Sequence, residues 1–196
     1  MMEKNEQELV TITTGQEGRF RWAAVTAMLL AMGAILRLVS PSIAGISPNW
    51  IIAMYCLSIV LFRPSMGRAA GIGLVAGALC LATSKSVLPY GNLISEPVGA
   101  LVCALIIKLP YTMKVGRLEL RPAVGALFGT LASGLTFTTL AKLMLGLPLK
   151  VYLYGMLPVV LTVAAANTVI AQVLYYPVTA LLSGFTAKPK EEGISK

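Results

Sequence analysis

Residues 83–97 read TSKSVLPYGNLISEP, and the kind of chain this is turns on that stretch. It is too polar to lie against lipid and too apolar for a simple solvated tether, so it reads as a plug or lid. Near its end stands Glu96, the only acidic residue between Glu17 and Glu119; the rest of that interval is apolar runs broken by Gly, Pro and a few basic residues. A charged group at the centre of a bilayer costs about 3 kcal/mol on insertion scales, and such groups face a partner, a cavity or a solute. Glu96 is therefore the leading candidate site residue. A plainer account also exists. Ser95 at a helix cap with Pro97 in the first turn would put Glu96 at the positive end of a helix dipole, where a carboxylate is stabilised without any ligand.

The surrounding composition fits a membrane. The 196 residues are 57% hydrophobic and 12% charged, with a mean hydropathy of +0.80, which leaves too little polar surface to coat a soluble globule. The sequence contains no Asp and no His. That removes the usual ligands of metal-activated water and the usual acid–base residue near neutral pH, so no metal, no cofactor and no enzymatic activity are expected. Cys56, Cys80 and Cys103 lie in apolar runs without CxxC spacing and read as buried hydrophobes.

About 20 apolar residues span the hydrocarbon core. Marking where Lys and Arg interrupt such runs predicts six spans, near 21–39, 48–62, 69–84, 95–112, 122–145 and 155–184, the fourth being the shortest free of charge. The expected architecture is an all-α integral membrane protein, a compact bundle of six transmembrane helices with both termini cytoplasmic. Residues 1–20 form a polar cytoplasmic N-terminal segment, 21–184 the six-helix membrane domain, and 185–196 a polar cytoplasmic tail. The orientation follows from charge. The N-terminal segment, the loops at 63–68 and 108–121 and the tail hold most of the basic residues, against only Arg37, Lys85, Lys142 and Lys150 on the other side. Lys and Arg concentrate in cytoplasmic loops. The net charge of +8 is thus a matter of topology, and nucleic acid is not an expected partner, because the charges are spread over short juxtamembrane loops.

With that orientation three segments face outward: 40–49, 84–96 and 146–155. Arg37 and Lys142 share the predicted depth of Glu96. One carboxylate and one or two cations, converging with the amides of Asn49 and Asn92 and the rings of Trp50 and Tyr90, could clamp a small zwitterionic or amide-bearing solute. Trp50 and Tyr152 equally suit an interfacial aromatic belt. Asn167 lies in the middle of the last span, where an amide needs partners in other helices; it either glues the bundle or lines the pocket floor.

Small residues recur at helical spacing. Ala23, Ala27 and Ala31, overlapping Ala24 and Ala34, give the first span a nearly smooth face; Gly73 and Gly77 do so in the third, and Gly125, Gly129 and Ser133 in the fifth. Such faces let helix backbones approach closely inside the bundle, or dock onto another membrane subunit.

These features resemble a known family. Six short spans in under 200 residues, an alanine-spaced first helix and a long outer loop before the fourth helix are similar to the substrate-binding S components of energy-coupling factor (ECF) transporters. The stretch from Gly73 to Ala104 looks like their tryptophan-transporter branch, whose pattern is approximately G-x3-G, A-T, then P-x-G-x-x-N-x-I-x-K-P-V. Here it stands as Gly73, Gly77, Ala82-Thr83, the shorter Pro89-Tyr90-Gly91 with an adjacent Asn92, and Pro97-Val98; Asn167-Thr168-Val169 with Leu174-Tyr175 is similar to that branch's last helix. Where the branch tends to carry Lys before Pro-Val, this chain has Glu96, an inverted charge that would favour a ligand offering an amine or another donor. The resemblance covers roughly residues 20–185. It implies a membrane-embedded subunit, in the plasma membrane of a bacterium, that captures a small solute (an aromatic amino acid, a related amine or a water-soluble vitamin) from outside. A transmembrane coupling subunit and two cytoplasmic ATPases would then drive its release inside, with the alanine stripe of the first helix meeting the coupling subunit. The sequence has no G-x4-G-K-[ST] phosphate loop, which agrees with that division of labour. The alternatives are a stand-alone ion-coupled carrier, which would want a mid-membrane ion site and an internal repeat that the sequence does not display, and a scaffold or enzyme, which would lack a nucleophile–base pair beyond Glu96, Lys85 or Lys142.

Overall fold

The computed structural model describes residues 2–40, 49–84, 86–110, 113–116 and 118–184, with 2–19 by backbone course alone. Among these are six α-helices: α1 (Met2–Val39), α2 (Trp50–Phe62), α3 (Met66–Ala82), α4 (Asn92–Lys108), α5 (Arg121–Met144) and α6 (Leu157–Gly184). A 3-10 turn (Pro89–Gly91) leads into α4, and a π-helical turn (Val151–Met156) leads into α6. The α4–α5 connection carries a two-stranded antiparallel hairpin, β1 (Lys114–Val115) and β2 (Leu118–Glu119), turned at Gly116, whose φ of +59° suits a residue without a side chain.

The bundle is organised around α2. Its sequence is apolar on every face, and a helix of that kind belongs in an interior; Ile51 through Val60 are all buried, and α2 packs against each of the other five helices. Thirteen residues rise only about 20 Å, well short of the roughly 30 Å hydrocarbon core. The helix ends where Arg63 takes a left-handed conformation (φ 43°) ahead of Pro64, and Ser65 caps α3 by accepting from the Arg68 amide. Four helical stretches are long and apolar enough to cross a membrane: Phe20–Val39, Pro89–Lys108, Arg121–Met144 and Val151–Ser183. The expected second and third spans instead form the shorter helices α2 and α3.

Close approaches of α4 set the rest. A side chain at Gly73 would meet the Pro97 Cα at 2.6 Å, and one at Gly77 the Asn92 carbonyl oxygen at 2.7 Å, so the small-residue stripe of α3 serves contact with α4. On the other face of α4, a Cβ at Gly99 would lie 2.5 Å from Tyr55 Oη and 2.7 Å from the Gly129 carbonyl oxygen. The stripe of α1 behaves differently. Ala24, Ala27 and Ala31 are exposed and Ala23 is half-buried, beside the exposed Met28 and Ile35.

One sequence expectation is corrected. The fourth helix starts at Asn92 rather than at a Ser95 cap, because the 3-10 turn from Pro89 already directs the chain into it; Pro97 lies inside the helix, and Glu96 sits on its buried face instead of at its tip. Residues 41–48 of the outward segment, Lys85 and the 185–196 tail lie outside the described residues, as do the side chains of 2–19.

Candidate functional site

The C-terminal ends of α1 and α3, the N-terminal ends of α2, α4 and α6 and the second half of α5 meet around a cavity of about 500 Å³. That volume falls within the roughly 300–1,000 Å³ usual for small-molecule sites. Its wall has two characters. Arg37, Asn49, Asn92, Ser95, Glu96 and Ser133 contribute polar groups, while Ile52, Phe137, Met156, Val159, Val160 and Val163 contribute an apolar face, mostly from α5 and α6.

The polar side is one connected hydrogen-bond network. Glu96 is 1% exposed. Its Oε2 accepts from the Tyr55 hydroxyl at 3.2 Å and the Ser133 hydroxyl at 3.0 Å, and its Oε1 from Asn49 Nδ2 at 3.2 Å and the Cys80 thiol at 3.5 Å. Donors from α2, α3, α5 and the residue ahead of α2 thus converge on a carboxylate supplied by α4. A carboxylate has about four lone-pair sites, and all are occupied. Asn49 carries the network onward, its Oδ1 accepting from Arg37 Nη1 at 2.6 Å, while the same nitrogen lies 3.5 Å from Cys80 Sγ. Arg37 and Glu96 are therefore joined through an amide. Among the described residues neither forms a direct ion pair; the ion pairs there are Lys114–Glu119 and Arg121–Glu119.

The other sequence candidates fall at varying distance from this cavity. Asn92 lines it, with its amide donating to the Pro89 carbonyl at 2.7 Å and closing the turn into α4. Asn167 is fully buried and stands behind the wall, donating to the Thr130 hydroxyl at 3.2 Å, and Thr130 in turn lines the cavity. Trp50 packs beside the cluster of Leu29, Met54 and Leu57 and does not reach the lining. Tyr90 is 70% exposed. The Lys142 ammonium lies 5.9 Å from the centre of the Tyr152 ring, outside the cavity lining, and the Tyr152 hydroxyl is bonded to Thr139 at 3.2 Å. Tyr55, Phe137 and the cavity-lining valines of α6 were not singled out from the sequence, and Cys80, expected only as a buried hydrophobe, also donates to Glu96. Tyr55 offered a signal: a phenol inside an otherwise apolar run needs a hydrogen-bond partner once buried.

Residues 20–183, nearly the whole helical part, match the family described as "Tryptophan transporter TrpP". The chain belongs to that family. Among curated relatives, the "Probable tryptophan transport protein" of Bacillus subtilis (strain 168) is 31% identical over 159 residues, covering 79% of this chain and 87% of the relative. The protein of the same description from Clostridium perfringens (strain 13 / Type A) is 32% identical over 165 residues, covering 77% and 87%. No solved structure matches. The chain is accordingly a multi-pass protein of the cell membrane in a transport family.

Proposed function

We propose that the protein is the substrate-capturing subunit of an ECF-type uptake system and that it takes up L-tryptophan from outside the cell. The observation that carries this reading is the divided cavity: a polar end built on Arg37, Asn49 and Glu96 opposite an apolar face of Phe137, Met156 and valines suits a molecule with a charged amino-acid end and an indole. Family membership and relatives described as probable tryptophan transport proteins support the same substrate. In this reading all six helices belong to the membrane domain, with α2 and α3 held at membrane depth by the four longer ones. Both termini are cytoplasmic. Arg63, Arg68, Lys108, Lys114 and Arg121 lie at helix ends and in loops away from the cavity lining, and Arg21 of α1 donates to the Leu182 carbonyl near the C-terminal end of α6; by the positive-inside rule this distribution supports an outward-facing cavity.

Transport then needs an energy source, and the chain has no phosphate-binding loop. A coupling subunit and cytoplasmic ATPases supply it, and the face of α1 at the half-buried Ala23 and the exposed Ala27 and Ala31 is the surface offered to that subunit. Close backbone approach on small residues is how membrane helices associate without a hydrophobic drive.

The test is reconstitution. The chain alone should bind radiolabelled L-tryptophan without ATP, and vesicles should accumulate it only when the coupling subunit and ATPases are present. Ala27→Trp should abolish co-purification with the coupling subunit and spare binding. Accumulation by the chain alone under an ion gradient would contradict the reading in favour of a stand-alone carrier.

A further inference from the structure

The sequence suggests that a carboxylate at position 96 would draw an amine-bearing ligand, but the bonding in the structure points elsewhere. Glu96 has no acceptor capacity left, since Tyr55, Ser133, Asn49 and Cys80 each direct a donor at it and it is 1% exposed. Arg37 is in the opposite condition. A guanidinium carries five N–H donors, and the hydrogen bonds of Arg37 to the described residues, to Asn49 Oδ1 and Cys80 Sγ, both run through Nη1. Nε and Nη2 make no hydrogen bond among the described residues, and Arg37 lines the cavity without a carboxylate in ion-pair contact. A cation at that depth is stabilised by an anion or by water. The fork geometry of the remaining donors matches a carboxylate.

We infer that Arg37 receives the ligand's α-carboxylate, and that Glu96 is a positioning residue one step behind it, acting through Asn49. The inference rests on the proposed tryptophan-binding reading and adds the group on which the site selects. Asn49 is the pivot. With its Nδ2 committed to Glu96, its Oδ1 faces Arg37 and fixes one end of the guanidinium, which aims the other end into the cavity. The site then selects free amino acids or indole carboxylates over decarboxylated amines.

The experiment is competition against radiolabelled L-tryptophan on the purified full chain, using tryptamine and tryptophan amide, which lack the carboxylate, and indole-3-propionate, which lacks the ammonium. Wild type should bind tryptophan and indole-3-propionate about 100-fold more tightly than the two ligands without a carboxylate, the scale of a charge-assisted pair. In Arg37→Gln tryptophan affinity should fall by about 100-fold and tryptamine affinity should hold within about threefold, so the preference collapses. Glu96→Gln should weaken tryptophan by about 10-fold and leave tryptamine unchanged; a merely structural role would weaken both equally. Should Arg37→Gln fail to fold, Arg37→Lys, which keeps the charge and loses the fork, decides the matter by a reduced but surviving carboxylate preference. Tryptamine binding to wild type as tightly as tryptophan, or an equal loss for every ligand in the Arg37 variants, would overturn the inference and leave tryptophan binding standing. No saturable binding of any indole ligand to wild type would overturn the tryptophan reading itself.

Discussion

The two ends of the bundle hold their acidic residues in opposite ways. Away from the cavity, Glu119 on β2 lies 3.8 Å from Lys114 Nζ and 3.7 Å from Arg121 Nε, and its backbone is docked on α6 through Gln172 and Tyr176. At the cavity, Glu96 meets no cation directly among the described residues. Four neutral donors surround it, and its communication with Arg37 passes through an amide. The difference is one of spare capacity. Direct pairing at Glu119 spends both charges on the protein's own structure, whereas the interposed Asn49 leaves the Arg37 guanidinium partly unspent and turned toward a space large enough for a solute. The first arrangement steadies the α4–α5 loop; the second leaves donors of a charged group facing the cavity.

The comparison breaks most readily through packing. Gly99→Val should have the largest effect, since the new side chain would enter the space of Tyr55 Oη and the Gly129 backbone, which cannot swing aside; monodisperse protein in size-exclusion chromatography should be lost. Glu96→Ala comes next. It strands donors on α2, α3 and α5 together with Asn49 and should lower stability by about 3 kcal/mol, read from thermal unfolding in detergent. Gly116→Ala, at the positive-φ turn of the hairpin with open space around it, should cost about 1 kcal/mol of strain in the same assay. The smallest effect should come from Glu119→Ala, below about 1 kcal/mol, because its ion pairs are long and Lys114 is largely solvated. A Glu119 loss as large as that of Glu96 would erase the contrast between the two ends.

The polar half of the cavity was legible in the sequence because solvation marks it. Arg37, Asn49, Asn92 and Glu96 each stand at the edge of an apolar run, and the structure brings them to one cavity. The apolar half was not legible. Phe137, Met156 and the valines of α6 have the same composition as residues that face lipid, and only the packing of α5 on α6 separates the two. Aromatic residues at headgroup depth were equally ambiguous: Trp50 turned to the side of the α1–α2 contact and Tyr90 to the outside. The start of α4 was misplaced because Ser95-Glu96-Pro97 carries a strong capping pattern, while the turn that actually launches the helix begins at Pro89. Close-packing glycines could be seen as stripes, but not which neighbour each would meet, since a stripe fixes a helix face and not its partner.

The central claim is that this cavity binds tryptophan in the chain alone. The most direct measurement is equilibrium dialysis of radiolabelled L-tryptophan against the purified full-length protein without ATP, comparing wild type with Val163→Trp, which places an indole of the protein's own into the apolar wall. Saturable binding near one molecule per chain in wild type, lost in a Val163→Trp variant that unfolds at the same temperature, is the predicted result. Equal tryptophan binding by both proteins, or none by wild type, would contradict it.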